Sequence, residues 1–222
     1  MEVARAGGGR LVAWLSLVGG IALLGYASRA AGGRPPRDAL YHYNTAGTQA
    51  FFFAFVLAVV LVIAIGIRKR ELLALRRPDS WWHAAAIAFG VLVVVYGASA
   101  LLDPLLHASR EQGLAPKRWE PSHAGAFAAN FVVFGVFGPL VEELTFRGEG
   151  FGLLVQRLGR GATVFVLGVA FGLWHGLVEA LPVLTIFGLG LAYLRSHTRS
   201  VYPGIILHAA FNSLALVVAV SS

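Results

Sequence analysis

The chain has 222 residues, enough for one domain, of which 57% are hydrophobic and only 13% charged, and its mean hydropathy is +0.72. Soluble domains carry about 25% charged residues, so this composition excludes an ordinary water-soluble globule; continuous apolar runs also exclude an alternating membrane β-barrel. The formal charge of +7 sits in loops without interleaved aromatics, so the expected partner is a lipid bilayer and not nucleic acid.

The expectation is therefore an all-α, polytopic transmembrane bundle of about seven spans, forming a single domain over 1–222. Residues 1–122 hold the N-terminal spans and 123–222 the motif-bearing ones. Leu11 to Ala27 is a first apolar run, too long for a signal-peptide core and expected to be retained. A Gly- and Pro-rich loop follows over 28–48. Gln49 to Ile67 is the second span and ends in a basic stretch, Arg68-Lys69-Arg70, then Arg76-Arg77. Trp81 and Trp82 open the third span as interfacial anchors, and it runs to about Leu102. Residues 103–122 form a mixed-charge loop.

The fourth span starts near His123 and carries Glu142, Glu143 and Arg147, with an amphipathic continuation to Gly159. The fifth runs from Ala162 to about Val178. Pro182 separates it from a short sixth, Val183 to Leu194. Arg195 to Tyr202 reads as a polar turn. Pro203 opens the seventh span, which ends at Ser222. With Arg68 to Arg77 in the cytoplasm, twelve Lys and Arg residues lie on that side and six on the other. The positive-inside rule then predicts a multi-pass cell-membrane protein, N-terminus cytoplasmic and C-terminus outside.

Polar residues inside these spans are the anomaly. An ionised carboxylate at the bilayer centre costs about 2.5–3.5 kcal/mol on insertion scales, so it marks a functional site. Glu143 and Arg147 are four residues apart and can pair on one helix face. Glu142 has Phe146 at that spacing, so it must face other helices or a cavity. Phe171 and His175 share a face of the next span, as His208 and Asn212 do in the last. A lone histidine in a span is ordinarily a hydrogen-bonded packing residue. Two histidines, an asparagine and an unpartnered glutamate in three spans argue for one site between spans four, five and seven. Glu142 with His175 suits activation of a water, and His208 with Asn212 suits stabilisation of an oxyanion.

The set Glu142-Glu143-x-x-x-Arg147, Phe171-x-x-x-His175 and His208-x-x-x-Asn212 resembles the CAAX-protease and bacteriocin-processing family of intramembrane proteases, also called the Abi family. Its eukaryotic relatives are the Ras-converting prenyl-protein endopeptidases. The resemblance covers roughly Phe127 to the C-terminus. It implies a glutamate-dependent intramembrane endopeptidase in which Glu142 and His175 activate water and His208 and Asn212 bind the oxyanion. Glu143, Arg147 and Phe171 would shape the site. No cofactor and no metal ligand are expected, and the substrate is expected to be a peptide or membrane-protein segment. The size points to a prokaryotic source, hence away from a prenylated substrate.

Three alternatives stand beside this reading. Glu142, His175 and His208 would supply a His, His, carboxylate set for a zinc-dependent membrane peptidase, although no His-Glu-x-x-His is present. The cluster could instead serve a non-proteolytic immunity or partner-binding protein, or a proton or ion relay. A cysteine nucleophile is excluded because the chain has no cysteine. An aspartyl dyad is excluded because Asp38, Asp79 and Asp103 fall in loops or at span ends. One geometric question is open: the drawn spans put Glu142 and His175 near opposite ends of their helices. Trp14 and the other tryptophans read mostly as interface anchors, and Glu149 and Glu179 as headgroup-level charges.

Overall fold

The computed structural model describes residues 8–106, 111 and 118–221. Its long helices are α1 (Gly8–Ala30), α2 (Tyr43–Ile63) and α3 (Trp81–Leu106), then a helix from Pro121 to Trp174, and last Leu181–Thr198 and Tyr202–Ser221. Among the described residues, five continuous helices are long and apolar enough to cross a membrane; Pro121–Trp174 counts once among them, and Leu181–Thr198 is not one of them. At 54 residues, Pro121–Trp174 would extend about 80 Å if straight, far beyond a hydrocarbon core of about 30 Å. It folds back at Gly159, whose φ of 74° and ψ of 172° lie outside the helical region. A residue with a side chain adopts that positive φ only at a cost, which glycine avoids. The two limbs are called α4 (121–158) and α5 (160–174). Leu181–Thr198 is α6 and Tyr202–Ser221 is α7, so seven long helical limbs result.

Boundaries shift from the sequence reading at several points. α2 begins at Tyr43, inside the expected loop 28–48. α5 stops at Trp174, and His175 caps it rather than lying within it. Pro182 sits in the first turn of α6, where a missing N–H does no harm. α6 runs on to Thr198, so Arg195 and Ser196 are buried helical residues and not part of a polar turn. Trp14 is no interface anchor: it is fully buried and packs edge-on against Phe146. Glu149 is not a headgroup-level charge either, being 0% exposed. Part of the mixed-charge loop, including Arg110 and Lys117, lies outside the described residues.

The interior is built around α4 and α5. Every residue of 141–151 is buried. By contrast, Leu23, Leu24, Phe51, Phe89, Val93 and Leu101 of α1–α3 are exposed. Apolar side chains pointing outward are the pattern of helices that face lipid. α5 and α6 approach closely because both carry glycine at their crossing: a Cβ on Gly188 would lie 2.8 Å from the Gly168 carbonyl oxygen. Small residues at such crossings let backbones touch.

Candidate active site

The hairpin register brings the motifs level. Gly150 and Leu167 touch across it, since a Cβ on Gly150 would lie 3.0 Å from Leu167 Cδ2. Phe146 and Phe171 meet edge-on with ring centroids 5.5 Å apart. Each facing pair lies at nearly equal distance from Gly159, and the next pair four residues on is Glu142 with His175. Both lie about 25 Å from the turn by helix rise. The open question of the drawn spans is thereby answered: the expected continuation to Gly159 is part of α4, and the turn there brings Glu142 and His175 to nearly equal distance along the two limbs.

Two stretches of α4 are widened to π-helix, Val133–Phe137 and Leu144–Gly150. They flank the Glu pair, as π-turns often flank functional sites. Wide turns leave carbonyls open to outside donors, and side chains from other helices use them. Asn212 Nδ2 donates to the Phe134 carbonyl at 3.1 Å, and Ser213 Oγ to that of Gly135 at 3.4 Å. Trp14 Nε1 donates to the Thr145 carbonyl at 2.8 Å and Arg195 Nε to that of Arg147 at 2.9 Å.

Glu143 and Arg147 pair as their spacing predicts. Arg147 Nη1 donates to Glu143 Oε1 at 3.0 Å, both side chains being fully buried. Its Nη2 donates to the Gly188 carbonyl at 2.8 Å, and the guanidinium lies 4.5 Å from the Phe171 ring centre. Glu143 Oε1 also faces His208 Nδ1 at 3.2 Å. A carboxylate held by Arg147 only accepts, so that imidazole nitrogen carries the hydrogen and donates. Glu143 Oε2 lies against Gly204, where a Cβ would come within 2.5 Å. Glycine there is a requirement that spacing alone did not signal.

Glu142 is buried at 7% exposure, and its Oε2 lies 3.7 Å from His208 Nε2. That separation exceeds a hydrogen bond, so the Glu142 carboxylate keeps its acceptor sites open. His175 is half-buried, and its Nδ1 lies 2.8 Å from the Phe171 carbonyl. A carbonyl only accepts, so Nδ1 carries the hydrogen, and Nε2 of the neutral ring holds a lone pair. Glu142 and His208 both lie close enough to act electrostatically on His175. The Phe171 ring separates the histidines, 4.9 Å from His175 and 5.6 Å from His208. Asn212 lies one turn beyond His208, half-buried, with one amide hydrogen engaged by Phe134. Among the described residues, no three His, Cys, Asp or Glu side chains group closely enough to hold a metal ion.

Sequence reasoning missed several positioning residues. Glu111 accepts the backbone N–H groups of Val178 at 2.9 Å and Ala180 at 2.8 Å, and pairs with Arg29 at 2.6 Å. It thus anchors the connection that follows His175. Gly176, with φ of 62°, packs against Gly25 of α1 and fixes the same turn. A lone acid in a mixed-charge loop carries no signal of such a role.

The comparisons with known proteins fall on this region. Residues 124–214 match the family model described as type II CAAX prenyl endopeptidase Rce1-like. A protein of Bacillus subtilis (strain 168), named "Putative membrane peptidase YdiL", is 27% identical over 86 residues, covering 39% of this chain. The match spans only 35% of that relative's length. No solved structure matches the chain. The matched segment holds most of α4, all of α5 and α6, and all three motifs, and over it the chain is similar to the CAAX-protease family.

Proposed function

We propose that the chain is an intramembrane endopeptidase that hydrolyses a peptide bond with a water activated by Glu142 and His175. The observation that carries this is the contrast within the acidic pair. Glu143 is neutralised by Arg147, whereas Glu142, one residue away, has no ion partner in its own helix and lies level with His175. A buried carboxylate with open acceptor sites beside an imidazole lone pair is suited to take a proton from water.

Water gives a proton to the Glu142 carboxylate while its oxygen attacks the scissile carbonyl carbon. His175 Nε2 accepts the water's second hydrogen bond and orients it. The carbonyl oxygen becomes an oxyanion, stabilised by His208 Nε2–H, when His208 is an imidazolium, and by the second amide hydrogen of Asn212. The carbon–nitrogen bond then breaks, and the proton on Glu142 passes to the leaving amine. Glu143 and Arg147 hold His208, and Phe171 sets the spacing of the two histidines. The substrate is a peptide or membrane-protein segment. The orientation is N-terminus cytoplasmic and C-terminus outside, on the excess of basic residues at that face.

Cleavage of a membrane-peptide library by detergent-purified protein tests this, wild type beside Glu142→Gln, each with and without a zinc chelator. Loss of roughly 100- to 10,000-fold in the variant, with normal folding and no effect of chelator, is expected for a general base. Loss with chelator would replace the mechanism by a zinc one. Undiminished cleavage by Glu142→Gln would overturn the assignment.

A further inference from the structure

α3, α5 and α6 enclose an apolar groove of about 620 Å³, away from the Glu pair. Gly90 and Val94 of α3, Val164 of α5, and Ile186, Gly190 and Tyr193 of α6 line it. Its volume lies in the range of about 300–1,000 Å³ typical of ligand sites. Two glycines shape it. A Cβ on Gly190 would meet Val91 at 2.5 Å, so α3 and α6 touch there. A Cβ on Gly90 would meet nothing within 4 Å, so that position is open groove.

One end of the groove differs from the rest. Arg76 Nε donates to the Arg199 carbonyl at 2.7 Å, Val201 N to that of Ala74 at 3.2 Å, and Ser200 Oγ to that of Arg76. These bonds tie the end of α6 to the start of α3. Trp81 and Trp82 are exposed there, and Tyr193 packs at a tilt on the exposed His197 with ring centroids 4.1 Å apart. Arg76, Arg77 and Arg199 are exposed at the same end, with Asp79 among them, leaving the balance positive. The other end, at Val94 and Ile186, is apolar.

An apolar channel that opens onto aromatic rings and then guanidinium groups repeats the polarity order of a phospholipid. We propose that this groove seats an anionic phospholipid, with an acyl chain along α3 and α6 and the phosphate at Arg76, Arg77 and Arg199. A peptide helix in the same groove would leave those cations without a counter-charge.

Native mass spectrometry of delipidated protein tests this, by titration with phosphatidylglycerol and with phosphatidylcholine of the same acyl chains. Wild type is expected to bind phosphatidylglycerol more tightly. Arg77→Gln combined with Arg199→Asn removes two charges, and asparagine tolerates the positive φ of 55° at that position. That variant is expected to bind phosphatidylglycerol about 25-fold more weakly, at roughly fivefold per charge, with phosphatidylcholine unchanged. Gly90→Leu, whose Cβ would meet nothing within 4 Å, projects its side chain into the groove and is expected to weaken both lipids. Equal binding of the two lipids by wild type, or full binding by a folded Gly90→Leu protein, overturns the proposal. Displacement of the lipid by glycerol phosphate alone would mean an anion site without a groove, and overturns it too.

Discussion

Two stretches of α4, six residues apart, each bury a glutamate completely, and their surroundings are opposite. Around Glu143 the carboxylate receives Arg147 at 3.0 Å and faces His208 at 3.2 Å, and the arginine is itself held by the Gly188 carbonyl. Around Glu149 neither carboxyl oxygen has a hydrogen-bond partner among the described residues. Its neighbours in the chain, Gly148 and Gly150, pack against Leu73 and Trp14. Charge in a low-dielectric interior is tolerable only when paired, and an isolated buried acid is otherwise held neutral. The first stretch therefore carries a charge network and the second carries none. One helix shows both ways of placing a carboxyl inside a membrane protein.

Arg147→Met is the strongest way to break that contrast. It leaves the Glu143 charge buried and unpaired, a loss of about 3–5 kcal/mol, read as a fall in detergent Tm. Arg147→Lys is expected not to rescue, because one ammonium cannot reproduce a fork that reaches both Glu143 and the Gly188 carbonyl. Gly204→Ala should act through the same network, pushing a methyl against Glu143 Oε2. A cost of about 1–3 kcal/mol is expected, with cleavage falling through displacement of His208. Trp14→Phe removes the donor to the Thr145 carbonyl and is expected to cost about 1–3 kcal/mol in Tm measurements. Glu149→Gln is expected to be the mildest, within about 0.5 kcal/mol, since a neutral acid and its amide differ little in shape. A large loss in Glu149→Gln would mean that the second stretch carries charge after all, and the contrast would fail.

Composition and apolar runs were sufficient for the helical class and for all seven limbs. The Glu143–Arg147 pair was legible because both residues lie on one helix, where spacing alone sets distance. The convergence of Glu142, His175 and His208 was legible as an anomaly of polar residues in apolar runs. Their common depth was not, because it depends on the register in which the two limbs pack back from Gly159, and that register is set by contacts such as Gly150 with Leu167 and Phe146 with Phe171. Trp14 and Glu149 were misread for a related reason. Both residue types favour interfaces, and only packing against the π-stretches of α4 reveals them as buried. Those stretches have no sequence signal, since they arise where other helices supply donors to the opened carbonyls.

The Gly159 turn also makes the hairpin a ruler. Facing residues are matched by their count from the turn, so either limb can change only in step with the other. A single residue inserted between Gly161 and Phe171 would rotate His175 by about 100° relative to Glu142 and lift it by about 1.5 Å. The same residue added at the exposed apex, beside Arg160, would lengthen the bend and leave the register intact. Tolerance to insertion should thus switch within a few positions, about 25 Å from Glu142 and His175, and a chain cut at the apex would yield two fragments, one carrying Glu142 and the other His175.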